Sequence, residues 1–321
     1  MQVKAYGTRG SIPICRATSY KYGGNTTCLR IYSDCFPSDF AFAVDAGSGY
    51  IDLSTDALRE GKKHIGLIFT HYHHDHTMAL PLAAHTHVKG TLTRVWGPSE
   101  HGEGPRQIAE NLMREPYFPV NFAKVRDRFD FRPFKVIGTE VLVIHPKAGF
   151  HVVPVDVYQK GLANGKTIDV RGIGKVPINE CLLVFMYKTA HPEYTVSYAF
   201  VEGTTGRKFV FLTDHEVTTA IAKDLREHVR GADLLIQDGQ YSHERYMKET
   251  GGFGHGTPEY CAELAIAGDV KRLLLTHHDP NATDEDVEKR LAEAQQHAIA
   301  LGHEQFAKYI SAAADYQIYD V

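Results

Sequence analysis

Short runs rich in apolar residues, Gln2 to Tyr6, Cys28 to Ser33 and Phe40 to Val44, the first alternating polar and apolar and the last apolar throughout, are separated by Gly-rich turns such as Gly23-Gly24-Asn25. Short strands joined by such turns predict an N-terminal β-meander. From Tyr50 the period lengthens to that of a helix over about Ile51 to Glu60, followed by an apolar strand from His64 to Thr70. A second helix is expected after His76 and a further strand around Leu92 to Trp96, so strands now alternate with helices as in an α/β fold. Three later runs, Phe209 to Thr213, Asp233 to Gln237 and Arg272 to Thr276, are apolar almost throughout and read as strands buried on both faces.

Between about Pro133 and Val176 the pattern breaks into Gly, Pro and mixed charge, which predicts hairpins or a β-rich insertion. Gly172-Ile-Gly-Lys175 lacks the Gly-x4-Gly-Lys-Ser/Thr spacing of a phosphate loop and reads as a hairpin turn. Near the C-terminus Thr283 and Asp286 form a capping box for a helix that Gly302 stops, and Tyr316 to Tyr319 adds a last strand. No linker and no internal repeat divides the chain. It is therefore expected to form one domain over residues 1–321, with the insertion at about 133–176.

Composition agrees with a soluble globular core: 43% of the 321 residues are hydrophobic and 23% charged. With 35 Lys and Arg against 39 Asp and Glu, the net charge of -4 provides no global positive field for nucleic acid. The longest apolar runs fall short of the roughly 18 to 20 residues of a membrane span, and the opening residues read as a strand and not as a signal peptide. A cytoplasmic location is the expectation. The five cysteines are odd in number and contain no Cys-x-x-Cys pair, so they read as reduced core thiols.

The 19 histidines carry the chemistry, because imidazole is the commonest side-chain metal ligand. They concentrate in His71-Tyr-His73-His74-Asp75-His76, directly after the apolar strand, and strand ends are where α/β proteins build sites. A single histidine there is usually a hydrogen-bonded bystander. Four histidines and an aspartate beside an apolar strand are costly to bury unless a divalent cation pairs with them. Further histidines and acids stand near other strand ends: His191-Pro192, Asp214 after Phe211-Leu-Thr, and His277 after Leu274-Leu-Thr.

In motif and order these residues resemble the metallo-β-lactamase superfamily, whose fold is a four-layer α/β/β/α sandwich with metals at one edge. The resemblance covers nearly the whole chain apart from the insertion. It implies that His71 and His73 serve one metal and Asp75 and His76 the other. His191 would be the third histidine of the first metal, Asp214 the bridging carboxylate and His277 the last ligand, with His74 a bystander. Two divalent ions are implied. The set has no thiolate, so Zn, Mn, Fe and Co all remain admissible.

Flanking segments resemble the superfamily's phosphodiesterase branch, which includes ribonuclease Z and the cyclic-phosphate and cyclic-nucleotide phosphodiesterases. They are Gly7-Thr-Arg-Gly-Ser-Ile-Pro13, Tyr22-Gly-Gly-Asn-Thr26, Val44-Asp-Ala-Gly47, Gln237-Asp-Gly-Gln-Tyr241, Gly254-His-Gly-Thr257 and Thr276-His-His-Asp-Pro280. The implied reaction is hydrolysis of a phosphodiester by a metal-bridging hydroxide, with Asp75 and Asp214 holding the ions. His255 would protonate the leaving group and Asp238 would raise its pKa. Arg9 and His278 are further candidates for phosphate contacts, and Asp45 either orients a ligand histidine or caps its turn.

A lactamase or lactonase lacks the bridging aspartate, and a glyoxalase II-like thioesterase would add C-terminal substrate-binding helices. A flavodiiron-type oxidoreductase would carry a flavin domain, and a metal-binding module without catalysis would have lost ligands. Ribonuclease Z itself carries a basic Gly/Pro-rich arm for tRNA, whereas this insertion is only mildly basic. The expected substrate is therefore a small cyclic phosphodiester such as a cyclic nucleotide, with RNA the less favoured alternative. The insertion is expected to cover the site or to form a contact in a homodimer.

Overall fold

The computed structural model describes residues 1–170 and 172–321. Strands β1 (Gln2–Gly7), β2 (Cys28–Tyr32), β3 (Phe40–Val44), β4 (His64–Ile68), β5 (Leu92–Gly97) and β6 (Phe129–Pro133) lie in the N-terminal half. They are followed by β7 (Glu140–His145), β8 (Gly149–Pro154), β9 (Thr167–Val170), β10 (Gly174–Pro177), β11 (Leu182–Lys188) and β12 (Val196–Glu202). Strands β13 (Lys208–Leu212), β14 (Leu234–Asp238), β15 (Leu273–Thr276), β16 (Ile310–Ala312) and β17 (Ile318–Asp320) complete the series.

They form a seven-stranded sheet in the order β17-β1-β2-β3-β4-β5-β6 and an eight-stranded sheet in the order β16-β15-β14-β13-β12-β11-β7-β8. The expected meander is present, since β1, β2 and β3 pair antiparallel before β3, β4, β5 and β6 run parallel. The inner faces meet in one core: Phe42, Val44, Ile68 and Trp96 from the first sheet pack with Val184, Phe200, Phe211 and Ile236 from the second. Leu53 and Ala57 of helix Tyr50–Arg59 cover the outer face of the first sheet. Leu225, Leu264 and Ala294, from helices Lys223–Val229, Pro258–Ala267 and Asp284–Ala300, cover the second. This is the four-layer α/β/β/α sandwich.

Helix Asp284–Ala300 has the expected capping box, in which Thr283 Oγ1 accepts from the Asp286 N–H at 3.2 Å and Asp286 bonds back. Other expectations need adjustment. A short helix does follow His76, at Ala84–His87, and a one-turn helix that was not expected, His74–Thr77, carries Asp75 and His76. The inserted region is narrower than its composition suggested. Strands β7 and β8 form the expected hairpin around Pro146 to Gly149, but β7 pairs with β11 and so belongs to the main sheet. What projects beyond it is helix Val155–Ala163, in a region expected to be hairpins, and the hairpin β9-β10. A small core of Val141, Val143, Ile168, Val170 and Val176 seats that hairpin against the sheet. Cysteines 28, 35, 181 and 261 are buried thiols as expected, but Cys15 is exposed.

Candidate metal centre

The site forms where the strand ends of the two sheets converge. Strand β4 runs straight into His71, and the following one-turn helix presents Asp75 and His76. The turn after β11 supplies His191, β13 leads to Asp214, and β15 ends directly before His277. Three non-glycine residues here hold left-handed backbone: Asp45 (φ 60°), Asp214 (φ 49°) and His277 (φ 59°). Such conformations cost of order 1 to 3 kcal/mol each and collect where a side chain must be aimed.

One set of donor atoms comes from His71, His73, His191 and Asp214, and a second from Asp75, His76 and His277. Within each set the atoms lie within 4.8 Å of one another. Asp214 reaches both: its Oδ2 is 3.5 Å from His71 Nε2 and 3.9 Å from His191 Nε2. Its Oδ1 is 3.4 Å from both His76 Nε2 and His277 Nε2. Asp75 Oδ2 lies 3.3 Å from His76 Nε2 and 3.1 Å from His277 Nε2. His74 is exposed and stands apart from both sets.

Three of these donor atoms, His71 Nε2, His191 Nε2 and Asp214 Oδ2, are buried without a hydrogen-bond partner. Orphaned buried polar atoms are costly, and a cation between them would satisfy all three. Burial also lowers the pKa of His71 and His191, which keeps both rings neutral and able to coordinate. For His76 burial acts the same way, yet Asp75, Asp214 and Asp45 outweigh it and raise the ring's pKa well above its usual value. That is the signature of a pocket with surplus negative charge. The residues fit a pair of divalent cations with nitrogen and oxygen ligands.

A second layer of contacts holds the rings. Asp45, wholly buried, accepts from Thr70 N and Thr70 Oγ1, both at 2.8 Å, and lies 2.8 Å from His76 Nδ1. It therefore orients the ring of His76, a candidate ligand, and also fixes the strand end. Glu193 was not anticipated. Its Oε2 stands 3.1 Å from His73 Nε2 and 3.3 Å from His191 Nδ1, and its position beside His191-Pro192 was the only hint in the sequence.

His255 lies next to both sets, with its ring centroid 5.0 Å from that of His277 and 6.1 Å from that of His191. Its Nδ1 is 2.9 Å from Asp238 Oδ2, the pairing expected from the sequence. Burial works against protonation of this ring, but Asp238, with lesser help from Asp214 and Asp75, pushes its pKa up to about 9. Gly254 before it has φ +95°, and a Cβ there would come within 2.2 Å of His191. The Gly254 N–H donates to Glu216 at 2.6 Å, a second contact that the sequence did not suggest.

Arg9 and His278 do not face the site. Arg9 is buried and donates to the carbonyls of Gly23, Asp279 and Ala282. His278 bonds the Ala313 carbonyl, and burial lowers its pKa to about 3. The His278 ring is thus spent on the segment that follows β16, while Arg9 ties the N-terminal loop to the turn after β15. The loop itself does reach the site, since the Ser11 N–H donates to Asp75 Oδ2 at 2.7 Å. A Cβ on Gly10 would meet the His277 ring at 2.4 Å, which explains the glycine before Ser11.

The family model described as the beta-lactamase superfamily domain matches residues 30–278. A ribonuclease Z of Brevibacillus brevis is 40% identical over 99 residues, but these make up only 30% of this chain and 30% of that protein. A ribonuclease Z of Clostridium acetobutylicum is 26% identical over 273 residues, covering 79% of this chain and 82% of its own length. Among solved structures, the metallo-beta-lactamase fold protein YhfI from Bacillus subtilis superposes with a TM-score of 0.61 at 17% identity, covering 99% of both chains.

Proposed function

Because the chain belongs to the beta-lactamase superfamily, we propose that it is a metal-dependent phosphodiesterase whose substrate is a small phosphodiester, a cyclic nucleotide being the leading case. One observation carries the reading: a single buried carboxylate, Asp214, presents one oxygen to each of two adjoining donor sets. His71, His73, His191 and Asp214 would hold one divalent ion, and Asp75, His76, His277 and the other oxygen of Asp214 the second. A pair of such ions supplies positive charge at a phosphoryl oxygen and lowers the pKa of water, the two needs of phosphodiester hydrolysis.

The chain's own residues do the rest. Asp238 occupies His255 Nδ1 and leaves Nε2 to carry the proton that the departing alkoxide requires. Asp45, through His76, keeps one ligand ring aligned. The buried apolar walls behind β4 and β13 exclude water from the far side of the donor sets.

A second reading, cleavage of RNA at a tRNA 3' end, is favoured by the names of the relatives. Against it, the projecting helix and hairpin pair Lys160 with Asp156 and carry no dense cationic stripe among the described residues. A substrate panel separates the two. Metal-free protein reloaded with Mn or with Zn is given 3',5'- and 2',3'-cyclic nucleotides, linear dinucleotides and precursor tRNA. Turnover of a small diester with little tRNA cleavage is expected, and the reverse would install the second reading. Asp214→Ala should bind fewer than two ions per chain and lose hydrolysis of bis(p-nitrophenyl) phosphate by orders of magnitude. Unchanged metal content and turnover would end the dinuclear reading.

A further inference from the structure

A cleft of about 360 Å³ opens beside the first donor set, with His71 and His73 at its base. Tyr72, Ile108 and Tyr194 make it largely apolar, and Glu100, Glu103 and Glu193 stand around it. No Lys or Arg lines it among the described residues. The cations nearest it are peripheral: the exposed Lys188 has its Nζ 4.5 Å from the centroid of the Tyr194 ring, and the exposed His101 stands beside Glu100 at 3.9 Å. His71 and His73 belong both to the lining of this cleft and to the first donor set. The cleft and the reaction centre are thus continuous.

We propose that this cleft receives the uncharged, hydrogen-bond-donating organic half of a phosphodiester that carries a single phosphate, and that its three carboxylates reject a second phosphate next to the reacting one. The inference rests on the phosphodiesterase reading above and narrows its substrate class. Carboxylates accept hydrogen bonds from sugar hydroxyls or from the amino and imino groups of a base, while Tyr72 and Tyr194 offer aromatic surface for a ring.

A flanking phosphate meets the opposite situation. In a linear oligonucleotide each reacting phosphate has charged neighbours, and one of these would have to lie among Glu100, Glu103 and Glu193. Like charges in contact repel even in bulk water, and several times more strongly near a protein surface. A cyclic nucleotide or a simple nucleoside diester has no such neighbour. The Glu100 carboxylate is held in place, accepting from Tyr194 N at 2.9 Å, and the backbones of Glu100 and Glu103 pair at 2.9 and 2.8 Å, which places the exposed Glu103 side chain beside it.

The test compares thymidine 5'-(p-nitrophenyl phosphate) with the same compound phosphorylated at its 3' oxygen, using metal-loaded full-length protein. The singly charged substrate should be favoured in kcat/KM by about tenfold or more at low ionic strength, with the ratio shrinking as salt screens the repulsion. Glu103→Lys should bring the ratio towards one or invert it, and Glu103→Gln should give an intermediate value. Equal kcat/KM for the two compounds, or a ratio that ignores both salt and Glu103→Lys, overturns the inference. If neither these compounds nor bis(p-nitrophenyl) phosphate is cleaved, the phosphodiesterase reading fails first.

Discussion

Replacing Asp238 with Asn tests how His255 works, because the substitution keeps the side-chain volume and removes the charge. Asp238 is wholly buried, 2.9 Å from His255 Nδ1, and its other oxygen accepts from Gln240 N at 3.0 Å, so the carboxylate is fixed. With it the His255 pKa is pushed up to about 9, although burial alone would depress it. Without it the ring should titrate at or below its ordinary value of about 6.5. At pH 8 the protonated fraction would then fall from about nine-tenths to a few hundredths, a loss of roughly thirtyfold in competent acid. The smaller contributions of Asp214 and Asp75 are the ones bound cations would neutralise, whereas Asp238 lies outside the candidate ligand sets.

The assay is the pH dependence of kcat/KM for two diesters, one with an alkyl leaving group and one with p-nitrophenol. For the alkyl ester the alkaline limb should move from near pH 9 in the parent to about 6.5 or lower in Asp238→Asn, with a drop of about thirtyfold at pH 8. The aryl ester, whose leaving group needs no proton, should change far less. Coincident alkaline limbs for parent and variant, or equal losses on both esters, would refute the assignment of His255 as acid.

Asp45→Asn should weaken metal retention about 10- to 100-fold by releasing His76, as measured by competition with a chromophoric chelator, and parent-like affinity would show that Asp45 only caps its turn. Gly254→Ala combines left-handed backbone with a Cβ 2.2 Å from His191, so it should cut activity by at least about tenfold while leaving the unfolding midpoint within a few degrees. His228 is half-buried with its Nε2 3.0 Å from Ser197 Oγ, and desolvation lowers its pKa to about 3, so the unfolded chain binds a proton there before the folded one does. Its contribution to stability is complete above about pH 6.5 and is lost as pH falls towards 3. His228→Gln should therefore show an acid stability slope shallower by up to about 1.4 kcal/mol per pH unit in urea titrations, and parallel slopes would contradict this.

Much of the fold was legible in the order of residues, because the period of apolar positions changes where the chain passes from strand to helix. Strands β6 and β16 and helix Pro105–Leu112 were not legible, being short, at an edge, or partly exposed, so that no periodicity distinguishes them from loop. The boundary of the insertion was misread for a related reason: composition does not show that β7 pairs with β11.

The candidate ligands were named from the sequence because four of them fall within one six-residue motif after an apolar strand, and the resemblance to the superfamily implied the other three, His191, Asp214 and His277. Local order alone determined that much: which imidazoles and acids stand at the end of an apolar strand, since strand and ligand are neighbours in the chain. Only the tertiary structure decided which atoms meet. Asp45 reaches His76 across 31 positions, and Asp238 reaches His255 across 17. Arg9, a plausible phosphate ligand by type, is instead spent on three carbonyls. Direction is the physical reason. The left-handed backbone at Asp45, Asp214 and His277 turns each side chain towards a common point, and residue type alone does not reveal a φ angle that packing against the rest of the fold must impose.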